Sequence, residues 1–439
     1  MNQLLTQGQV LKVNPGDFDC RVEAFLGGGA QGEVYRATIH DAQHALKWYF
    51  PDQTTRAQLD TLRDLVQRGA PTDKFLWPTG VVISDSGFGY VMPLRDERFC
   101  GMADLMRGRV KTSSRAVATA GYHLANSFKE LHANGLAYCD ISFGNVFIDF
   151  DCGDIRICDN DNVTPSGTNS SRVLGTQRFM APEIVCGTAV PDDNTDRYSL
   201  AVLLFFMFFL NHPLEGRRET QIRALDMPAM NKLYGTEPLF IFDPNDDSNE
   251  PTPEYHRPAI NHWSLYPSFF KNLFVKSFTG GLRDAQHGRV RESEWSRALL
   301  RLLDSIVVCP NCSAANFYDS DTNVVVGDTP GACWRCKAPI PTPIRLKLED
   351  ESTVVLNPHT ALVPRHLSPR SGELLAPELA KVVPHPTIPN VFGLENLSSG
   401  PWTAITSNGT NTILPGKRIA LVPNTMIQFG EMRGEILGA

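Results

Sequence analysis

The spacing of apolar positions changes several times along the 439-residue chain, and each change predicts an element. Residues 18–50 read as strand, turn, strand, strand around a glycine cluster. Residues 54–68 carry Leu59, Leu62 and Leu65/Val66 at helical spacing. Residues 88–94 read as a further strand. Residues 117–134 are amphipathic and stop at Gly135, a helix C-cap. The strongest apolar run, 200–210, has eleven residues, too few to cross a bilayer as a helix, so it predicts a buried core helix. Helical spacing returns in 291–307 through Trp295, Leu299, Leu302, Leu303 and Ile306. After a proline-rich linker at 339–343 nearly everything is strand and turn: 353–356, 381–383, 402–405, 418–422 and 426–430 predict a small β-sandwich.

Length admits two to four domains, and 42% hydrophobic with 20% charged residues allows large cores and excludes bulk disorder. A net charge of −7 without a long cationic run argues against a general nucleic-acid binder and against an anionic membrane surface. The first ten residues are polar, without the basic start and apolar centre of a secretory signal. Six of the ten cysteines stand singly and four form two C-x-x-C pairs, which suits a reducing compartment and a metal site. The expected location is cytoplasmic. The acidic, proline-rich stretch 243–254 is expected to be a solvated surface loop.

Candidate chemistry lies in three places. Gly27, Gly28, Gly29 and Gly32 fit a glycine-rich turn ending at Val34, where backbone amides can approach phosphates. Lys47, 13 residues past Val34 in an otherwise apolar strand, needs a counter-charge such as phosphate oxygens. Asp140 and Asn145 sit five residues apart after a helix and before short apolar strands, and Asp159 follows 19 residues after Asp140. A carboxylate that orients a hydroxyl, with an amide and a second carboxylate on a metal, is what phosphoryl transfer requires.

Together with Gly175-Thr176…Ala181-Pro182-Glu183 and Asp196-Arg197-Tyr198, these motifs resemble the eukaryotic-like Ser/Thr protein kinase family over residues 18–303. The resemblance implies a multidomain α+β chain: a bilobal kinase domain at 1–303, with an N-lobe at about 10–95 and a C-lobe at about 96–303, then appended modules. It implies Mg-ATP as cofactor and a protein substrate. Asp140 would be the catalytic aspartate, Lys47 would hold phosphates, and Asn145 and Asp159 would hold magnesium. Val34, Ala45, Met92, Leu94 and Phe147 would contact adenine. Asp196 would bond the catalytic-loop backbone, and Arg289 would pair with Glu183.

Departures from the family pattern are as specific as the matches. The 54–68 helix has no glutamate, which leaves Asp60 or Asp64 to orient Lys47. Asp159-Asn160-Asp161 replaces Asp-Phe-Gly, with Asp161 either a metal ligand or solvent-facing. Tyr138-Cys139 removes the arginine that reads an activation-loop phosphate, so Ser166, Thr168, Ser170 and Ser171 are expected to be plain loop residues. Ser142 stands where a lysine would stabilise the transferring group, and its loss slows chemistry. These changes keep open a degenerate nucleotide-binding scaffold, and a small-molecule kinase is the third alternative.

Cys309, Cys312, Cys333 and Cys336 present two thiolate pairs from two tight turns, a closed tetrahedral set that resembles a structural zinc ribbon at 304–340, with iron as the chemical rival. Asn396-Leu397-Ser398-Ser399, Asn408-Gly409-Thr410 and the strand ending at Gly430 make 345–439 similar to the second half of a forkhead-associated domain. That fold reads phosphothreonine, but its first-half Ser-x-x-His and gripping arginine are absent here, which favours packing or another partner. The whole order is similar to bacterial kinases of tellurite-resistance-associated cassettes, implying a von Willebrand-type protein and a phosphatase as partners.

Overall fold

The structure is a computed structural model that describes residues 3–168, 174–358, 360–367, 376–388, 391–407 and 409–438. Ser170, Ser171 and Asn408 lie outside the described residues. The chain divides into one unit of residues 1–259 with 273–296, and a second of 260–272 with 297–439.

The first unit opens on a six-stranded closed barrel in the order β1-β2-β3-β4-β6-β5. Its strands are β1 (Val10–Asn14), β2 (Phe18–Gly28), β3 (Gly32–Ile39), β4 (Ala42–Tyr49), β5 (Gly80–Ser84) and β6 (Gly87–Pro93). Strand β1 closes it by pairing with both β2 and β5, Val13 opposite Val82. The sequence pattern predicted β2, β3, β4 and β6 but neither β1 nor β5. Period-two alternation gives β4 two duties. Leu46 and Trp48 join Leu11, Tyr35 and Val91 in one core, while Ala45 and Tyr49 join Leu62, Tyr90 and Met92 in another. Helix α1 (Arg56–Arg68) starts at Thr55, whose hydroxyl accepts from the Gln58 amide, and buries Leu62 and Leu65.

Beyond the barrel, β7 (Cys100–Gly101) and α2 (Met102–Met106) lead to α3 (Ser114–Ala133), capped by Ser113. Short antiparallel pairs follow: β8 (Leu136–Ala137) pairs with β11 (Thr164–Pro165), and between them in sequence β9 (Val146–Ile148) pairs with β10 (Ile155–Ile157). After α4 (Pro182–Val185), helix α5 (Asp193–Phe209) begins with a reciprocal cap between Asp192 and Thr195. From Leu200 to Phe209 every side chain of α5 is buried, as the apolar run predicts. The acidic loop at 243–254 keeps Asp246 and Asp247 exposed, but Asn249 is wholly buried and donates to the Leu214 and Leu239 carbonyls.

In the second unit β12 (Ile306–Val308), β13 (Ala315–Asp319) and β14 (Val324–Val326) form one sheet. The helix expected over 291–307 ends at Asp304, and Ile306 is already strand. The remainder is two sheets. One has the order β16-β15-β24-β23-β20-β21: β15 (Arg345–Leu348), β16 (Thr353–Val355), β20 (Trp402–Thr406), β21 (Gly409–Ile413), β23 (Thr425–Phe429) and β24 (Met432–Leu437). The other is β17-β18-β19-β22: β17 (Ala361–Leu362), β18 (Ala380–Pro384), β19 (Phe392–Asn396) and β22 (Arg418–Ala420). Leu346, Trp402, Ile427 and Ile436 of the first share a core with Leu362, Val382 and Leu394 of the second. Among the described residues no helix is long and apolar enough to cross a membrane.

Candidate functional site

Lys47 is 5% exposed on β4, and three acceptors surround its ammonium. Asp161 lies at 2.9 and 3.1 Å, Asp159 at 3.4 Å and the Gln31 amide oxygen at 3.0 Å. Asp161 has no exposed side-chain surface and also accepts from the Tyr49 hydroxyl at 2.5 Å and the Tyr90 hydroxyl at 3.0 Å. Register explains the convergence. Tyr49 is two residues beyond Lys47 on the same face of β4, and Tyr90 stands opposite Lys47 on β6. Burial alone pulls an ammonium's pKa down, but here Asp161 and Asp159 outweigh it and hold Lys47 above its ordinary value. Burial pushes the Asp161 carboxyl up, and Lys47 with the bonds from Tyr49, Lys47 and Tyr90 brings it below the usual carboxylate range.

This corrects the expectation for the helix acids. Asp60 pairs with Arg56 and Arg63, and Asp64 pairs with Arg68, on half-exposed side chains of α1. Neither pairs with Lys47. The reason is the face: Leu62 and Leu65 turn inward, which leaves Asp60 and Asp64 toward water. Gln58 is the α1 residue that reaches the cluster, donating to the Tyr49 hydroxyl at 3.1 Å and the Asp161 carbonyl at 3.2 Å. The solvent-facing option raised for Asp161 is overturned: its side chain has no exposed surface and forms a buried ion pair with Lys47.

Asp140 accepts from the Thr176 amide and hydroxyl, both at 2.8 Å, and from Asn145 at 3.0 Å. Asn145 also donates to the Asp140 carbonyl at 2.8 Å, which ties the two ends of the loop together. Burial raises the Asp140 carboxyl above its ordinary value, partly offset by Thr176 and Asn145. Beneath the loop, Asp196 at the start of α5 accepts the Tyr138 amide at 2.6 Å and the Cys139 amide at 3.0 Å. Those bonds hold Cys139 at a φ of 70°, a left-handed conformation that costs a non-glycine residue about 1–3 kcal/mol. His132 joins Asp196 at 3.1 Å and Glu292 at 2.7 Å, and Arg289 pairs with Glu183 at 2.7 Å. Asp159 is itself left-handed, with φ 49° and ψ 44°, where β10 passes into a single turn at Asn160–Asn162. Asp159 and Asp161 therefore both approach Lys47, yet the Asp159 side chain stays 46% exposed.

A cavity of about 1130 Å³ opens between the glycine-rich turn and this loop. Lys47, Asp140 and Asp159 line it, with Gly27, Gly28, Gly29 and Gly32 on one side. Val34, Ala45, Met92, Leu94 and Phe147 supply apolar walls, and the Arg95 guanidinium stacks 4.1 Å from the Phe147 ring. The glycines have different reasons. A Cβ on Gly32 would come within 2.1 Å of the Trp48 carbonyl, so the hairpin itself requires glycine there. A Cβ on Gly27 or Gly29 would meet no protein atom within 4 Å, so packing within the protein does not require glycine at either position. Gln31 spans the turn and the loop below, bonding Asn162 at 3.2 Å as well as Lys47. Sequence reading passed over Gln31, Tyr49, Gln58 and Tyr90. The one available signal was a tyrosine two residues beyond a buried lysine.

In the second unit the Sγ atoms of Cys309, Cys312, Cys333 and Cys336 lie within 4.8 Å of one another, in the turns after β12 and β14.

Comparison with known proteins agrees with this geometry. Residues 20–261, more than half of the chain, match the family model of the protein kinase domain. A 98-residue stretch is 37% identical to Protein kinase C-like 1 of Candida albicans, covering 21% of this chain and 9% of that one. Similarity to Serine/threonine-protein kinase RUNKEL of Arabidopsis thaliana is 26% over 124 residues, 27% of this chain and 9% of the other. A protein kinase C delta type homologue of Drosophila melanogaster is 30% identical over 105 residues, 23% of this chain and 15% of that one. The chain thus spans a small part, 9% to 15%, of these relatives' length.

Proposed function

Because the chain belongs to the protein kinase family, we propose that it transfers the γ-phosphoryl group of Mg-ATP to serine or threonine hydroxyls of a protein substrate, itself included. The observation that carries the reading is the convergence of Lys47, Asp140 and Asp159 on one cavity with a glycine-rich lip. When bound, magnesium nucleotide supplies the phosphoryl group and the cationic charge that offsets its oxygens during transfer. Lys47 faces the phosphates. Asn145 and Asp159 offer oxygens to the metal, and half-exposure makes Asp159 rather than buried Asp161 the accessible carboxylate. Asp140 orients the attacking hydroxyl and receives its proton, a task helped by a carboxyl held above its ordinary value. Thr176, bonded to Asp140, brings the segment that would carry the polypeptide up to that carboxylate, which disfavours a small-molecule substrate.

The altered Tyr138-Cys139, Ser142 and Asn160-Asp161 favour a non-catalytic scaffold. Ser142 is buried where a charge-stabilising lysine would otherwise stand. Retention of Lys47, Asp140, Asn145 and Asp159 together opposes it, since a scaffold needs no such set. In the second unit the four cysteines hold a structural zinc as a ribbon, and the two sheets form a forkhead-associated-like sandwich used for packing or a partner. A von Willebrand-type protein and a phosphatase are proposed partners on sequence resemblance alone.

Transfer of labelled γ-phosphate from Mg-ATP to the protein and to a generic protein substrate tests this. Wild type incorporates label, and Asp140→Asn and Asp159→Asn each lose it. Nucleotide binding without any incorporation by wild type would instead favour the scaffold or a missing activator.

A further inference from the structure

The Lys47 cluster carries an inference beyond the general reaction, though it rests on the kinase reading. We infer that Asp161 is the positioning residue for Lys47, and that the lysine's charge partner has moved from helix α1 to the loop that carries Asp159.

Three observations support this. First, Asp161 meets Lys47 through both carboxylate oxygens, at 2.9 and 3.1 Å, and is sealed from water. Its remaining acceptor capacity is filled by Tyr49 and Tyr90. A buried carboxylate with three donors is held in one place, and so is the ammonium it faces. Second, helix α1 offers the cluster only a neutral amide. Gln58 is an isostere of glutamate, and its two bonds go to the Tyr49 hydroxyl and the Asp161 backbone. A carboxylate there would stand beside Asp161 and Asp159, adding a third negative charge around one lysine, so the amide and the loop acid form a matched exchange. Third, the groups facing Lys47 from every packed element are accounted for: Gln31 from the glycine-rich turn, Tyr49 and Tyr90 from the barrel, Asp159 and Asp161 from the loop. Asp60 and Asp64 are not among them. Outward movement of α1 would therefore break two neutral bonds and leave the Lys47 ion pair intact. The lysine is positioned whether or not α1 is docked.

The test compares wild type, Asp161→Asn, Asp161→Asn with Gln58→Glu, and Asp60→Asn with Asp64→Asn. The readouts are kcat and KM for ATP, thermal melting, and the pH midpoint at which an amine-acylating reagent labels Lys47, read by peptide mass. Asp161→Asn lowers kcat/KM by about 10²–10³-fold, the range for losing one aligned electrostatic contact. Restoring the carboxylate from the helix with Gln58→Glu recovers at least tenfold of that. Asp60→Asn with Asp64→Asn stays within twofold of wild type. The labelling midpoint falls in Asp161→Asn and returns in the Gln58→Glu double variant. Activity of folded Asp161→Asn within twofold of wild type, or an unmoved midpoint, overturns the inference. If Asp161→Asn does not fold, Asp161→Gly alone and with Gln58→Glu decide: a labelling midpoint and kcat/KM lowered in the first support it, and values equal to wild type in both overturn it. If wild type transfers no phosphate, the kinase reading fails, while the labelling midpoints still decide the pairing.

Discussion

His132 offers a perturbation whose size can be worked out in advance. Its ring is buried between the Asp196 carboxylate at 3.1 Å and the Glu292 carboxylate at 2.7 Å. Burial lowers an imidazole's pKa, yet the bonds and charges of Asp196 and Glu292 outweigh it and raise His132 from 6.5 to about 9. A group whose pKa is higher folded than unfolded stabilises the fold fully below the unfolded value and loses that contribution as pH rises through the folded one. The window therefore runs from about pH 6.5 to about pH 9. At about 1.4 kcal/mol per pKa unit the contribution is about 3.5 kcal/mol. For a unit of this size 1 kcal/mol moves the melting temperature by roughly 2–3 °C, so the expected loss is about 7–10 °C. The assay follows the helical circular dichroism signal, to which the first unit contributes most because α1 to α5 all lie there. His132→Gln removes the cation while leaving Asp196 its two backbone donors and Glu292 its bond to Arg197. Wild type should exceed the variant by the full amount at pH 6.5 and by little at pH 9.5. An equal gap at both pH values would refute the charge argument and leave only a packing defect.

Two further outcomes follow from single contacts. Thr176→Ala removes a hydroxyl that holds the Asp140 carboxyl down. With Asp140 in its proposed role as the base, the active form is the carboxylate, present above its pKa, so the acid limb of the kcat/KM profile should shift to higher pH, and an unmoved limb refutes the assignment. For the cysteine cluster, elemental analysis of purified protein should give about one zinc per chain, and Cys309→Ser with Cys336→Ser should lose it and melt the β-rich signal earlier. Iron in its place, or no metal, would overturn the zinc reading.

The legible part of this protein was whatever depends on local spacing. The α1, α3 and α5 patterns were readable because apolar residues recur at the helical period, and Lys47 was readable because a cation in an apolar strand is anomalous. Asp140, Asn145 and Asp159 were readable as an ordered set of polar groups between short strands. The closure of the barrel was not, because β1 is five residues long and gains its meaning only by pairing with β5, some 70 residues away. Corrections fell where a choice depends on which face points inward. Asp60 and Asp64 have the right chemistry for Lys47, but Leu62 and Leu65 claim the inner face of α1 and turn both acids outward.

Residue order is enough to say which chemical groups exist, in what succession, and on which elements most of them ride. Which carboxylate meets the lysine is settled by packing. That choice rests on a left-handed turn at Asp159 and on the register that sets Tyr90 opposite Lys47, and together they enclose Asp161 away from water. An ion pair between residues 114 positions apart is a consequence of packing, and no local pattern encodes it.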